Sequence, residues 1–368
     1  IDYPNDPYVT PLFKEVLGNN DANKPAAERM YDARKPDAGR LAVLARELTE
    51  IVHNADPTRP VTSAMSFPEL STRTGFADAL DVSGYNYREK LYEEDHRRFP
   101  GRVIYGSENN HDVEAWKYVR DNAYICGQFL WTGVDFLGEC PGWPVRISRA
   151  GMMDLAGNPK PLYYMRQAMW TDAPCIKLAA GGEKPWEQRL VWAGVSGETQ
   201  TVSAYTNQAQ AELFFNGKSL GLKPAADYCV SWKVPYADGE LRVVAGEAED
   251  ALRSAGKAAR LTLTPDKTAL CADQQDVAQI EVSLLDTEGR FVSNDEVVTY
   301  QVLGDAKILG VENGRPDDLT CYAEPYRATQ YGKAIVYLRA GKLPGVITLH
   351  AFTQSGLTAD VALQSRRA

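Results

Sequence analysis

One residue and its neighbours carry most of the chemistry legible in this chain. Glu108 follows the apolar run Arg102-Val-Ile-Tyr105 and Gly106-Ser107, and precedes Asn109-Asn110-His111-Asp112. A carboxylate at the end of a buried strand opens onto the rim of a sheet. Tyr87 closes the preceding apolar run and Trp131 the following one, so the two rings would flank it. A carboxylate nucleophile needs a partner that holds its ionised form, and a tyrosine hydroxyl can donate that hydrogen bond. An indole face at the same rim suits the apolar face of a sugar ring. The plainer alternative is a solvated carboxylate in a surface loop, and the two readings are equally open on the residues alone.

The elements that must place these side chains follow from the pattern. Leu41, Leu44, Ala45, Leu48, Ile51 and Val52 recur at helical spacing, with Asp37 as the N-cap and Asp56-Pro57 and Arg59-Pro60 as the stop. Strands are expected at 61–65, 80–87, 102–108 and 127–131, with a surface helix over 88–98 and a helix over 113–125. Strands separated by helical crossovers imply parallel β/α units. Strand ends that carry polar and aromatic residues resemble the carboxyl ends of barrel strands, and four such units make half of an eight-unit barrel. After Pro174 the texture becomes one of short alternating strands, with Asn216-Gly217 as a hairpin turn. The expected organisation is multidomain, α/β plus all-β. Residues 1–175 form the second half of a (β/α)8 barrel, followed by immunoglobulin-like β-sandwiches at 176–258 and 259–368.

Composition narrows the function. The chain has 368 residues, a formal net charge of −9 and 24% charged residues. An acidic balance argues against a nucleic-acid partner, which demands a basic face. No run approaches the ~18 apolar residues of a transmembrane helix, so no membrane partner is expected. The six cysteines and four histidines are scattered without ligand spacing. No metal site or other cofactor is therefore expected, and the acids Asp266, Asp273 and Asp276 lack the spacing of a calcium loop. Phosphate loops, dinucleotide fingerprints and the G-x-S-x-G elbow are missing. Trp143, Trp170, Trp186, Trp192 and Trp232 read as core residues rather than sugar platforms. The opening Ile1-Asp-Tyr-Pro-Asn-Asp-Pro-Tyr8 has neither the basic nor the apolar part of a signal peptide. It reads as the edge of a fragment or a processed product.

Three segments together resemble glycoside hydrolase family 2, most nearly its β-galactosidases with extra C-terminal sandwiches. They are Gly106-Ser107-Glu108, the run Gly127-Gln-Phe-Leu-Trp131 to Glu139, and Gly151-Met-Met-Asp-Leu-Ala-Gly-Asn-Pro-Lys-Pro-Leu-Tyr-Tyr164. Glu212 to Gly221 resembles the family's accessory sandwich and Leu309 to Gly314 its last one. The resemblance implies a retaining exo-β-glycosidase with Glu108 as nucleophile on the seventh barrel strand. Tyr87 would hydrogen-bond it, Trp131 would line the sugar subsite, and His111, Asn86 and Asp135 would be further pocket residues.

The family's acid/base glutamate belongs to an Asn-Glu pair that would lie just before Ile1. Asp2 and Asp6 are weak substitutes. A retaining site needs two carboxyl groups ~5–5.5 Å apart, one protonated, so the chain alone is expected to be inactive on unactivated glycosides. The missing N-terminal half of the same enzyme would be its partner, carbohydrate its substrate, and oligomerisation possible. Galactose is the expected sugar, with β-glucuronide and β-mannoside as alternatives; Arg146, Arg149 and Lys160 offer no clear carboxylate-binding group. The other class of function is a non-catalytic carbohydrate-binding or adhesion fragment on tandem sandwiches. A binding module gives no reason for the β/α segment with Glu108. An extracytoplasmic location, periplasmic or secreted, is the expectation for a multi-sandwich glycosidase.

Overall fold

A computed structural model describes residue 37 and residues 39–367. Asp2, Asp6, Tyr3, Tyr8 and Phe13 lie outside the described residues. Internal contacts divide the chain into two compact units, one ending at Trp131 and one beginning at Thr132.

The first unit is built on four strands, β1 (Thr62–Met65), β2 (Val82–Asn86), β3 (Val103–Asn109) and β4 (Ile125–Leu130). They lie side by side in chain order and every pairing is parallel. Helices α1 (Arg40–Ala55), α2 (Pro68–Thr74), α3 (Tyr92–Arg98) and α4 (Val113–Arg120) precede or connect them, because a parallel return needs a crossover. Met65, Tyr85, Ile104 and Ile125 face this helical side and form a buried core with Ala77 and Tyr92. Tyr85 donates to Asp95 Oδ2 at 2.6 Å and accepts from Arg102 at 3.3 Å, which ties α3 under the sheet. On the other face Val103 and Phe129 are exposed, Phe129 at 66%, and Tyr105 meets the edge of the Phe129 ring at 5.8 Å.

Several local expectations change here. Gly39, not Asp37, caps α1, while the Asp37 carboxylate accepts from the Gly39 amide at 2.7 Å. Only Ala42 and Ala45 of α1 are buried; Leu48, Ile51 and Val52 are exposed, since no described residue packs over them. The stretch 88–98 is not simply a surface helix, because Tyr92 is fully buried. Helix α4 stops at Arg120. Asn122 caps the Tyr118 carbonyl and accepts from Ile125, which turns Ile125 into the first residue of β4.

The second unit opens with a small hairpin, β5 (Phe136–Leu137) and β6 (Ile147–Ser148), and helix α5 (Pro161–Trp170). Two sheets follow. Strands β7 (Ile176–Gly181), β8 (Gln188–Arg189), β9 (Thr199–Thr206) and β12 (Cys229–Pro235) make one, in the order β12-β9-β7-β8. Strands β10 (Gln210–Phe215), β11 (Lys218–Pro224), β13 (Glu240–Ala245) and β14 (Ala248–Arg253) make the other, in the order β11-β10-β13-β14. Leu178, Val202, Leu213, Val243, Trp192 and Trp232 fill the space between them. Asn216 and Gly217 turn β10 into β11 with φ of 49° and 79°. That left-handed pair is what an Asn-Gly hairpin supplies.

A second pair of sheets closes the chain. One is β15 (Arg260–Pro265), β17 (Val277–Leu285), β21 (Lys333–Ala340) and β19 (Ala306–Glu312). The other is β16 (Ala269–Cys271), β23 (Thr358–Arg366), β22 (Gly345–Thr353), β18 (Val297–Leu303) and β20 (Tyr326–Ala328). Strand β21 alternates buried and half-buried residues along its whole length, the period-two signature of a sheet with one face in a core. Ile280, Val298, Val336, Leu338 and Leu349 lie at its centre.

Candidate functional site

Glu108 sits at the carboxyl end of β3, paired in register with Asn86 of β2. The pairing is not the one that simple alternation gives. Gly84 pairs with Tyr105, so one residue of β2 (Tyr85) but two of β3 (Gly106 and Ser107) lie between that pair and Asn86 with Glu108. The extra residue is a β-bulge, which re-aims the side chains beyond it. It brings Glu108 into line with Asn86, on the face of the sheet opposite Tyr85 and Ile104. Asn86 Nδ2 then donates to Glu108 Oε2 at 3.2 Å, while Ser107 Oγ donates to Asn86 Oδ1 at 2.6 Å. The serine fixes which end of the amide faces the carboxylate. Gly84 makes this possible, because a Cβ there would lie 2.7 Å from that of Ser107.

The residues around the carboxylate are placed by backbone bonds. Tyr87 N donates to the Glu108 carbonyl at 2.8 Å, and Trp131 N to the Asn109 carbonyl at 3.0 Å. Tyr87 has φ of 53°, a left-handed conformation that costs a non-glycine residue on the order of 1 kcal/mol. Both rings are partly open, at 38% and 37% exposure. Asn109 is fully buried and donates to Glu89, anchoring the end of β3 from the helical side. Gly106 leaves room for that anchor, as a Cβ there would lie 1.7 Å from Asn109 Oδ1. Half-buried His111 lies in the turn to α4, whose N-cap Asp112 accepts from Ala115 N at 2.7 Å. Glu108, Asn86, Tyr87, His111 and Trp131 thus belong to strand ends or adjoining turns of one sheet. Ser107, which orients Asn86, was not a sequence candidate; its place beside Glu108 was the available signal.

Asp135 belongs to the second unit and is differently placed. It is 4% exposed, and its Oδ1 accepts from Gly151 N at 2.9 Å and Lys160 Nζ at 2.7 Å. Burial pushes its carboxyl up despite Lys160. Its Oδ1 fastens the 132–160 segment together. Asp154 works similarly: burial raises its carboxyl, which accepts from the amides of Ala156 and Asn158 at 2.9 Å each. Lys160 is therefore committed to Asp135, whereas Arg149 has no carboxylate within ion-pair distance among the described residues.

The other tryptophans divide. Trp192 and Trp232 are core residues at 1% and 3% exposure, as expected, but Trp143, Trp170 and Trp186 are exposed at 76%, 54% and 60%. The acids once weighed as calcium ligands serve the backbone: Asp273 caps the amides of Gln275 and Asp276, Asp266 accepts from Gln279 N, and Asp276 pairs with Lys267.

Known proteins resemble this chain along most of its length. The description "glycoside hydrolase family 2 C-terminal domain 5" fits residues 261–362, and a domain of unknown function fits 197–251. The β-galactosidase BoGH2A of Bacteroides ovatus is 32% identical over 86% of this chain, which spans 42% of that protein. A putative β-glucuronidase of Formosa agariphila is 31% identical over 61% of this chain and 22% of its own length. A solved glycosyl hydrolase family 2 member from Bacteroides cellulosilyticus superimposes with a TM-score of 0.84 at 29% identity, covering 97% of this chain and 52% of that one. The chain spans about half or less of the length of each.

Proposed function

The chain belongs to glycoside hydrolase family 2, and from that premise we propose that it is the later portion of a retaining β-glycosidase whose nucleophile is Glu108. The observation that carries this reading is the Glu108 carboxylate at a parallel strand end, held by an oriented Asn86 amide. The four-stranded parallel sheet is then half of a (β/α)8 barrel. Its exposed face, with Val103 and Phe129, is the part of the barrel interior that the other strands close. The barrel portion reaches to about residue 175, and the two sandwiches occupy 176–258 and 259–368.

In the proposed reaction the Glu108 carboxylate attacks the anomeric carbon as the leaving oxygen takes a proton, forming a glycosyl ester that water then hydrolyses. Asn86 Nδ2, charge-assisted while Glu108 is ionised, holds one carboxylate oxygen and leaves the other for attack. Tyr87 is assigned the second hydrogen bond to this group. Trp131 offers its ring to the sugar and His111 a polar contact. Asp135 keeps the segment after Trp131 in shape. The proton donor is assigned to the part of the relatives' length that this chain does not span, so the activity proposed is that of the whole enzyme, acting outside the cytoplasm.

β-Galactoside is the first substrate reading, supported by the similarity to BoGH2A. β-Glucuronide is the second, supported by the likeness to proteins described as β-glucuronidases; Arg149 is the cation left for a uronate. Incubating the whole enzyme with 2-fluoro-galactoside and 2-fluoro-glucuronide carrying activated leaving groups, then sequencing the labelled peptide, tests both points. Label on Glu108 from the galactoside is expected. Label on another carboxylate removes the nucleophile assignment, and label from the glucuronide alone reverses the sugar.

A further inference from the structure

Away from Glu108, the second unit contains a cleft of about 2100 Å³ whose walls come from both sandwiches and from the 135–164 segment. Three adjoining side chains on this cleft have no role in the catalytic reading: Trp186 and Arg189 from the first sandwich and Tyr331 from the second.

Trp186 is 60% exposed, with the Lys184 ammonium 5.1 Å from the centroid of its ring. Its turn is nevertheless tightly held. Glu187 N donates to the Lys184 carbonyl at 2.9 Å, and Lys184 N to Glu187 Oε2 at 3.1 Å. The next residue, Gln188, is 1% exposed and bonds Gly182, Ser203 and Tyr205. The ring is thus presented to solvent by a braced turn. Tyr331 is presented in the same way. It adopts φ of 50°, its amide donates to Asp295 at 3.0 Å, and it is 39% exposed.

Arg189 connects the two. Its Nε donates to the Tyr331 hydroxyl at 2.8 Å and its guanidinium lies over that ring at 5.1 Å. Its Nη1 donates to the carbonyls of Trp186 and Gln188. No carboxylate lies within ion-pair distance of it among the described residues, and Nη2 makes no hydrogen bond to them. A half-buried guanidinium in an acidic protein, with a free fork arm beside the Tyr331 ring and on the same cleft as the Trp186 ring, has the makings of a sugar subsite: apolar faces to stack on and a planar donor for oxygens.

We propose that this cleft is a second saccharide-binding site, with Trp186 as the stacking platform and Arg189 as the polar anchor, one that holds a glycan chain without cleaving it. The ligand is a pyranose bearing either a hydroxyl or a carboxylate toward Nη2. It does not depend on the assignment of Glu108.

Affinity electrophoresis of the 368-residue chain through gels containing β-1,4-galactan or polygalacturonate tests it. Retardation by one of them is expected, weakened about tenfold or more by Trp186→Ala with the melting temperature unchanged. Arg189→Met should weaken a polygalacturonate interaction more than a galactan one, which separates the carboxylate ligand from the neutral one. Because Arg189 also joins the two sandwiches through Tyr331, Trp186→Ala is the decisive variant: it removes the platform and leaves that tie. Migration unaffected by either polysaccharide overturns the proposal, and so does retardation that Trp186→Ala leaves intact.

Discussion

The parallel sheet and the sandwiches use apolar residues in opposite ways. Each sandwich closes its core between two sheets, so Leu213, Val243, Ile280 and Val336 are wholly buried. The parallel sheet buries Tyr85, Ile104 and Ile125 under its helices but leaves Val103 and Phe129 exposed on the other face. What the sandwiches gain in closure they lose in strand ends free for chemistry. Their polar residues, such as Gln188 and Asn313, are buried and committed to neighbours. The parallel sheet keeps Glu108, Asn86, Tyr87 and Trp131 at its rim, positioned from beneath by Asn109 and Gly106. On the proposed reading, stability and reactivity fall to different parts of the chain, and substitutions in each should read out differently.

The largest expected effect is on reactivity alone. Glu108→Gln in the whole enzyme should lower kcat by at least ~10³-fold, with a melting temperature close to that of the parent. A large fall in melting temperature would mean that the carboxylate holds the sheet together, and the contrast would collapse. The next effect is on stability alone. Trp192 is 1% exposed and donates to the Ala237 carbonyl at 2.9 Å, so Trp192→Ala should cost about 3–5 kcal/mol in denaturant unfolding of the sandwiches. The first unit's own unfolding should be unchanged in the same experiment.

The smallest effect is a pH dependence inside the last sandwich. Burial pushes the Asp318 carboxyl up, but the Thr320 amide, Arg327 and Asn313 draw it down further, to below the ordinary range. A carboxyl depressed by folding stabilises above its unfolded pKa, near ~3.9, and that stabilisation is lost as the pH falls through the folded value. Asp318→Asn should therefore lower the melting temperature at pH 7 and narrow its difference from the parent below about pH 4. A constant difference across that range would remove the ionised Asp318–Arg327 pair, 3.3 Å apart, from the account.

Much of this arrangement was legible in the residues because it rests on local chemistry. Asn216-Gly217 specified its turn, and the apolar run closed by Glu108 specified a strand end. Three features depended on partners distant in sequence. The α1 stripe Leu48, Ile51 and Val52 has helical spacing, yet spacing does not say whether anything covers it. Trp186 has the composition of a core residue but sits on a turn fixed by the buried Gln188 beside it. Asp135 lies in the run most characteristic of the family, and only the fold shows Lys160, distant in sequence, taking one of its oxygens. The β3 bulge was invisible, since an extra residue in a strand leaves no mark on composition.

That bulge also separates two design problems in one strand. Ile104 and Asn109 answer to the helices beneath, while Glu108 between them answers to the rim. Removing one residue between Tyr105 and Glu108 would restore plain alternation and leave the carboxylate opposite Asn86, but it would take away Gly106, which makes room for Asn109, or Ser107, which orients Asn86. The strand would keep its hydrogen-bond ladder and its acid while losing one of the two small residues that hold that acid in place.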